Sequence, residues 1–143
     1  MKTLFEYNDG GRAEAGYKGE TGDCVCRSIA IATGKPYQGV YRALNDLAKA
    51  ERATPRSRRE RSTSRNGVYR VTYQRYMESI GWKWTPTMKI GSGCKVHLQA
   101  EELPTCRLVV RVSKHITAVI DCVIHDTWDP SSNGTRCVYG YFS

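Results

Sequence analysis

The chain lacks the features that would send it into or across a membrane. No apolar run approaches the ~18 residues a membrane span needs. The opening stretch MKTLFEYNDG has no apolar segment long enough for a secretory signal. A cytoplasmic protein with no membrane partner is therefore expected. Internal repeats are missing too, which sets aside solenoid and propeller architectures. Acidic residues are in short supply, 14 against 22 lysines and arginines, for a formal net charge of +8. What remains is ordinary globular composition, 40% hydrophobic in 143 residues, enough for a single domain over 1–143 with a real core. In a reducing cytoplasm six cysteines read as catalytic, metal-binding or buried thiols, not as a disulfide framework.

Glycines 10, 11, 16, 19 and 22 leave the first 22 residues little room for regular structure. Asp23 is then a good N-cap for a short helix, with Val25, Ile29 and Ala32 on one face and Gly34 as the stop. Pro36 opens a second helix, where its missing N–H costs nothing. Tyr37, Val40, Tyr41, Leu44, Leu47 and Ala48 give that helix an apolar stripe. Residues 51–65 break the pattern with six arginines and two glutamates and read as a basic, mobile loop dispensable for folding. A third helix carries Tyr69, Tyr73, Tyr76, Met77 and Ile80 and ends at Gly81. Trp82 and Trp84 alternate as on a short strand. The last third, Arg107–Ser113, His115–Asp121, Val123–Trp128 and Arg136–Phe142, is β-branched and aromatic between turn residues. The fold class expected is α+β, with N-terminal helices packed on a C-terminal antiparallel β-sheet.

Two segments carry chemistry. Cys24 falls in the first turn of a helix, where exposed N–H groups and the helix dipole favour a thiolate. The neighbouring Asp23 carboxylate should oppose it, but, turned back on those N–H groups, it is expected to be outweighed by the helix terminus and the His115 imidazolium. Cys26 lies about 200° further around the helix and is the alternative nucleophile. The stretch from Ser113 to Asp129 reads as a hairpin turning at Asp121-Cys122. A two-residue turn sets Thr117 against Asp126 and His115 against Trp128, making His115 and Asp126 diagonal neighbours on one face. A three-residue loop would set Asp129 opposite His115 instead, while His125 falls on the other face. A histidine oriented by a carboxylate is what a thiol nucleophile needs as its base. By the same turn arithmetic, Cys106 comes opposite Asp121 or Cys122.

Taken together, GDCVCRSIAIATGKPYQGVY and LPTCRLVVRVSKHITAVIDCVIHDTWDPS resemble the papain-like cysteine peptidase superfamily, in its small bacterial and phage- or plasmid-encoded branches. The resemblance implies a minimal papain-like fold and a hydrolase acting by thiol acyl transfer. Cys24 would be the nucleophile, His115 the base and Asp126 the orienting group, with a protein or peptide substrate and no cofactor. The interval from Cys24 to His115 is shorter than the ~130–150 residues of papain itself. Where papain-type enzymes carry a glutamine before the cysteine as an oxyanion donor, this chain has Lys18.

Two further constellations compete. Cys24-x-Cys26 with Cys94-x-x-His97 offers four zinc ligands of suitable type, at an unusual spacing. The arginines of the loop, Arg52, Arg56, Arg58, Arg59, Arg61 and Arg65, could neutralise phosphates or an acidic protein surface. They support the alternative of a non-catalytic nucleic-acid- or acidic-protein-binding module.

Overall fold

The computed structural model describes residues 4–17, 22–50, 63–64, 67–89 and 91–143. Its elements run β1 (Leu4–Tyr7), α1 (Cys24–Thr33), α2 (Tyr37–Ala50), α3 (Arg70–Ser79) and β2 (Trp84–Pro86). A 3-10 turn (Ala100–Glu102) then leads into β3 (Arg107–Val112), β4 (His115–Ile120), β5 (Val123–Asp126) and β6 (Val138–Phe142). The fold is α+β, and all six strands form one sheet in the order β1-β5-β4-β3-β6-β2. No helix among the described residues is long and apolar enough to cross a membrane.

The sheet departs from the antiparallel expectation at one edge. β1 pairs parallel with β5, from Leu4 against Val123 to Tyr7 against Asp126, so the sheet is mixed. All four β1 residues are exposed. Backbone pairing holds this strand, so it has no buried, alternating pattern by which a sequence announces a strand. Nor do the last four strands form one meander, because β6 returns to pair with β3.

The inner hairpins follow the turn arithmetic. Val112 pairs with His115 and Arg107 with Ile120, and Ile120 pairs with Val123. The second turn is type I′ in character, with Asp121 and Cys122 both at positive φ, the twist that suits a two-residue hairpin. Cys106 thus falls opposite Asp121, whose N–H donates to the Cys106 carbonyl at 3.1 Å.

Both faces of the sheet are buried. Val109, Ile116, Ala118 and Phe142 pack with α1, α2 and α3, whereas Leu108, Val110, Val112, Val119 and Ile124 pack with Leu98 and Leu103. Helix α1 is buried from Val25 to Ala32, more completely than a single apolar face requires. It stops at Gly34, which is left-handed and donates to the Ala30 carbonyl. Arg107 of β3 reaches the Ile31 and Ala32 carbonyls at 3.4 and 3.3 Å, placing a cation at the negative end of the helix.

The expected basic loop lies mostly outside the described residues, but its distal part is anchored. Ser64 is fully buried, donating its hydroxyl to the Tyr41 carbonyl and its N–H to Asn45 of α2. Two hydrogen bonds thus tie Ser64, near the end of that polar segment, to α2. The reading of the cysteines as thiols and not as a disulfide framework is corrected at one pair. Segment 96–98 pairs with 136–138, and beside it Cys94 and Cys137 form a disulfide with Cα atoms 5.8 Å apart, inside the usual span.

Trp84 of β2 packs closely against Gly140 of β6. A Cβ at 140 would run into the indole and come within 2.8 Å of the Thr85 carbonyl oxygen. Gly140→Ala is expected to lower stability by ~1–3 kcal/mol through overpacking, read as a reduced thermal midpoint.

Candidate active site

The site forms where the first turn of α1 meets the start of β4 and the end of β5. His115 opens β4 and Asp126 closes β5. Continuing the β4–β5 register brings Thr117 against Asp126, and the two side chains meet, Oγ1 donating to Oδ2 at 2.7 Å. One step further along β4, His115 Nε2 lies 2.7 Å from the same Oδ2. The Trp128 ring stands 4.8 Å from the imidazole. Cys24 and His115 line one cavity, and the side chain of Cys24 is near enough to help raise the proton affinity of the imidazole.

Asp126 is saturated. Its Oδ1 accepts from the Thr127 N–H at 2.7 Å and from Arg27 Nη2 at 2.9 Å. Hydrogen bonds from His115 and Thr117 and the charges of His115 and Arg27 hold the carboxyl below its usual value against the opposing effect of burial. Burial likewise pushes the imidazole of His115 down, but hydrogen bonds to Asp126 and Cys24 and their charges outweigh it and raise it to about 9. Asp129, the other carboxylate considered, instead accepts from the Ser131 N–H at 2.9 Å in the following turn.

Arg27 is the residue that sequence reasoning missed. Its guanidinium spans two buried carboxylates, with Nη1 2.5 Å from Asp23 Oδ1 and Nη2 on Asp126. Asp23 does not cap α1 with its side chain as expected. It takes Arg27 and the Tyr37 hydroxyl, the latter at 2.6 Å, because a buried carboxylate gains more from a charged donor than from backbone N–H groups. An i, i+4 Asp–Arg pair was there to be read from the sequence; the second partner, 99 positions away, was not. The turn after β1 covers this network. Gly10, at φ 72°, packs so close that a Cβ would lie 3.1 Å from the Arg27 carbonyl oxygen.

Cys26 points elsewhere. It is fully buried in the core formed with α2 and the sheet, with Sγ 3.8 Å from the Tyr37 carbonyl. Burial, and after it the charge of Asp23, pushes its thiol up to about 12. The zinc constellation is not assembled. Cys94 is in the disulfide, His97 Nδ1 faces Glu102 at 3.2 Å, and no group of three or more metal-ligating side chains occurs among the described residues. Arg52, Arg56, Arg58, Arg59, Arg61, Arg65 and Lys18 lie outside the described residues.

A cavity of about 310 Å³ opens beside Cys24 and His115, floored by Val112 and Ile116 and walled by Tyr69, Arg70 and Tyr73 of the α3 region. Comparison with family models, curated proteins and solved structures finds no match.

Removing Arg27 leaves two buried carboxylates short of their shared cation. Arg27→Met is expected to cost ~3–5 kcal/mol, the range for breaking a buried ion pair, measured by chemical denaturation at neutral pH. A loss under ~1 kcal/mol would show that the guanidinium is not holding the two carboxylates.

Proposed function

We propose that this chain is a papain-like thiol hydrolase, a peptidase or isopeptidase acting by acyl transfer. One observation carries the reading: a first-turn helical cysteine shares a cavity with a histidine that is itself oriented by a saturated, buried aspartate. In this reading Cys24 gives its proton to His115 and its sulfur attacks the carbonyl carbon of an amide. The carbonyl π electrons move to oxygen, which faces the N-terminal end of α1, where the Asp23 side chain makes no cap hydrogen bond and the backbone N–H of Cys24 can serve as donor. Collapse of the tetrahedral intermediate breaks the C–N bond, and His115 passes its proton to the departing nitrogen. Water, deprotonated by His115, then attacks the thioester and returns the thiol.

The supporting electrostatics are specific. With His115 raised to about 9, the imidazole holds a proton at neutral pH, as an acid for an amine leaving group requires. Asp126, itself held by Thr117, and the Trp128 ring position the imidazole beside the cavity that Cys24 lines.

Cys24→Ala is expected to abolish both labelling by a thiol-directed electrophile at neutral pH and any amide hydrolysis, with the fold intact by circular dichroism. Cys26→Ala is expected to retain most of both and to lose stability through the core. Asp126→Ala is expected to lower turnover more than Asp129→Ala. If neither cysteine variant changes acyl transfer on a proven substrate, the hydrolase reading fails.

The pH dependence has a fixed sign. Because His115 is raised when folded, its proton is lost as pH climbs through about 9, so kcat/KM for an amide is expected to fall there. Alkylation of Cys24, which needs no acid, is not expected to fall with it. The stability contributed by the charged pair is full below the ordinary histidine value near 6.5 and fades through the same alkaline range. A flat amide profile through pH 10 would remove His115 from the role of acid.

A further inference from the structure

The cavity beside Cys24 has charge of one sign. Its charged lining residues are Arg70, Arg111 and Lys114 together with His115, and no aspartate or glutamate among the described residues lines it. A second hollow of about 240 Å³ also has Arg70 and Arg111 in its lining, with Trp84, Pro86, Met88 and Tyr139. The two arginines therefore border both hollows, one from the start of α3 and one from β3.

Neither arginine meets a carboxylate among the described residues. Each lies instead over an aromatic ring, Arg70 5.2 Å from the centre of the Trp84 indole and Arg111 5.7 Å from that of Tyr139. Stacking holds a guanidinium in place and leaves its N–H edge open for a planar anion. The close packing of Trp84 against Gly140 helps hold one of those platforms. Tyr73 lines the same cavity as both arginines and Cys24.

We propose that Arg70 and Arg111 form a carboxylate subsite, so that the substrates of Cys24 are peptides bearing a carboxylate close to the bond attacked. This rests on the acyl-transfer reading above and narrows its substrate class. Two unpaired guanidiniums in a partly enclosed hollow attract an anion more strongly than they would on an open surface. A bidentate Arg–carboxylate contact also discriminates between glutamate and glutamine, which a purely apolar hollow does not.

The test compares alkylation of Cys24 by iodoacetate and iodoacetamide, followed by mass spectrometry at fixed pH and ionic strength. The His115 imidazolium also favours the anionic reagent, so the rate ratio is read against the ratios for Arg70→Gln and Arg111→Gln. Each substitution is expected to lower the iodoacetate-to-iodoacetamide ratio by about threefold or more, and added salt to compress the wild-type ratio. A second measurement uses the unaltered chain: protection of Cys24 from iodoacetamide by blocked tripeptides. An acetylated, amidated Ala-Glu-Ala is expected to protect at least fivefold better than Ala-Gln-Ala if the carboxylate is a side chain. Protection by free-acid Ala-Ala-Ala but not by its amide would instead identify a terminal carboxylate, and either result supports the subsite.

Unchanged ratios in both variants, together with equal protection by the glutamate and glutamine peptides, would overturn the subsite while leaving a reactive Cys24 in place. Protection by oligothymidylate and not by the glutamate peptide would overturn it in favour of nucleic acid. A Cys24 no faster than free cysteine with either reagent would overturn the hydrolase reading, and the subsite with it.

Discussion

The guanidinium of Arg27 holds the site together. It joins Asp23, just before α1, to Asp126, at the end of β5, and both carboxylates are almost wholly buried. Burying three charges costs several kcal/mol each in desolvation, repaid only where geometry is good and the other lone pairs are satisfied. Here Asp126 accepts four hydrogen bonds, and Asp23 also receives the Tyr37 hydroxyl. An apolar contact of the same size could stabilise the fold as well, but it would not fix which turn of α1 meets which end of the sheet. The charged bridge does, because a guanidinium satisfies both carboxylates in few orientations.

That constraint decides which cysteine is presented. With Asp23 and Arg27 turned toward Asp126, the first turn of α1 brings Cys24 to the cavity and sends Cys26 into the core beside Tyr37. The same bridge explains the importance of β1, an otherwise exposed strand. Its parallel pairing with β5 carries the chain past Asp126, where the Asn8 N–H meets the Asp126 carbonyl at 2.9 Å. The glycine turn that follows then closes over Arg27. A segment with almost no apolar burial is thus positioned to keep water from the buried charges.

The parts of this arrangement legible in the sequence are those set by short-range rules. Period-2 patterning and a two-residue turn fix the register of β4 on β5, and with it the meeting of His115, Thr117 and Asp126. A first-turn position places Cys24, and helical spacing separates it from Cys26. What could not be read depends on contacts between distant segments or on backbone alone. β1 has no alternation because nothing on it is buried. The Arg27–Asp126 contact joins residues whose proximity follows only once α1 is docked on the sheet. The Cys94–Cys137 disulfide follows from a short pairing of 96–98 with 136–138 that no local pattern announces. Asp23 was misread because capping is the usual fate of an aspartate at that position, and a nearby buried cation changes the preference.

Charge balance links the buried network to the open cavity. Asp23 and Asp126 carry two negative charges, and each has cationic partners: Arg27 bridges both, Arg12 Nε lies 3.9 Å from Asp23, and His115 sits on Asp126. The buried acids are thus paired among themselves and do not offset the cations of the cavity wall. Arg70, Arg111 and Lys114 consequently keep their field, with no carboxylate among the described lining residues to quench it, and that field acts on whatever enters next to Cys24. A developing oxyanion and a substrate carboxylate would both meet it with favourable sign, so binding and chemistry draw on one electrostatic asymmetry. It is maintained because the buried acids have already been assigned their partners.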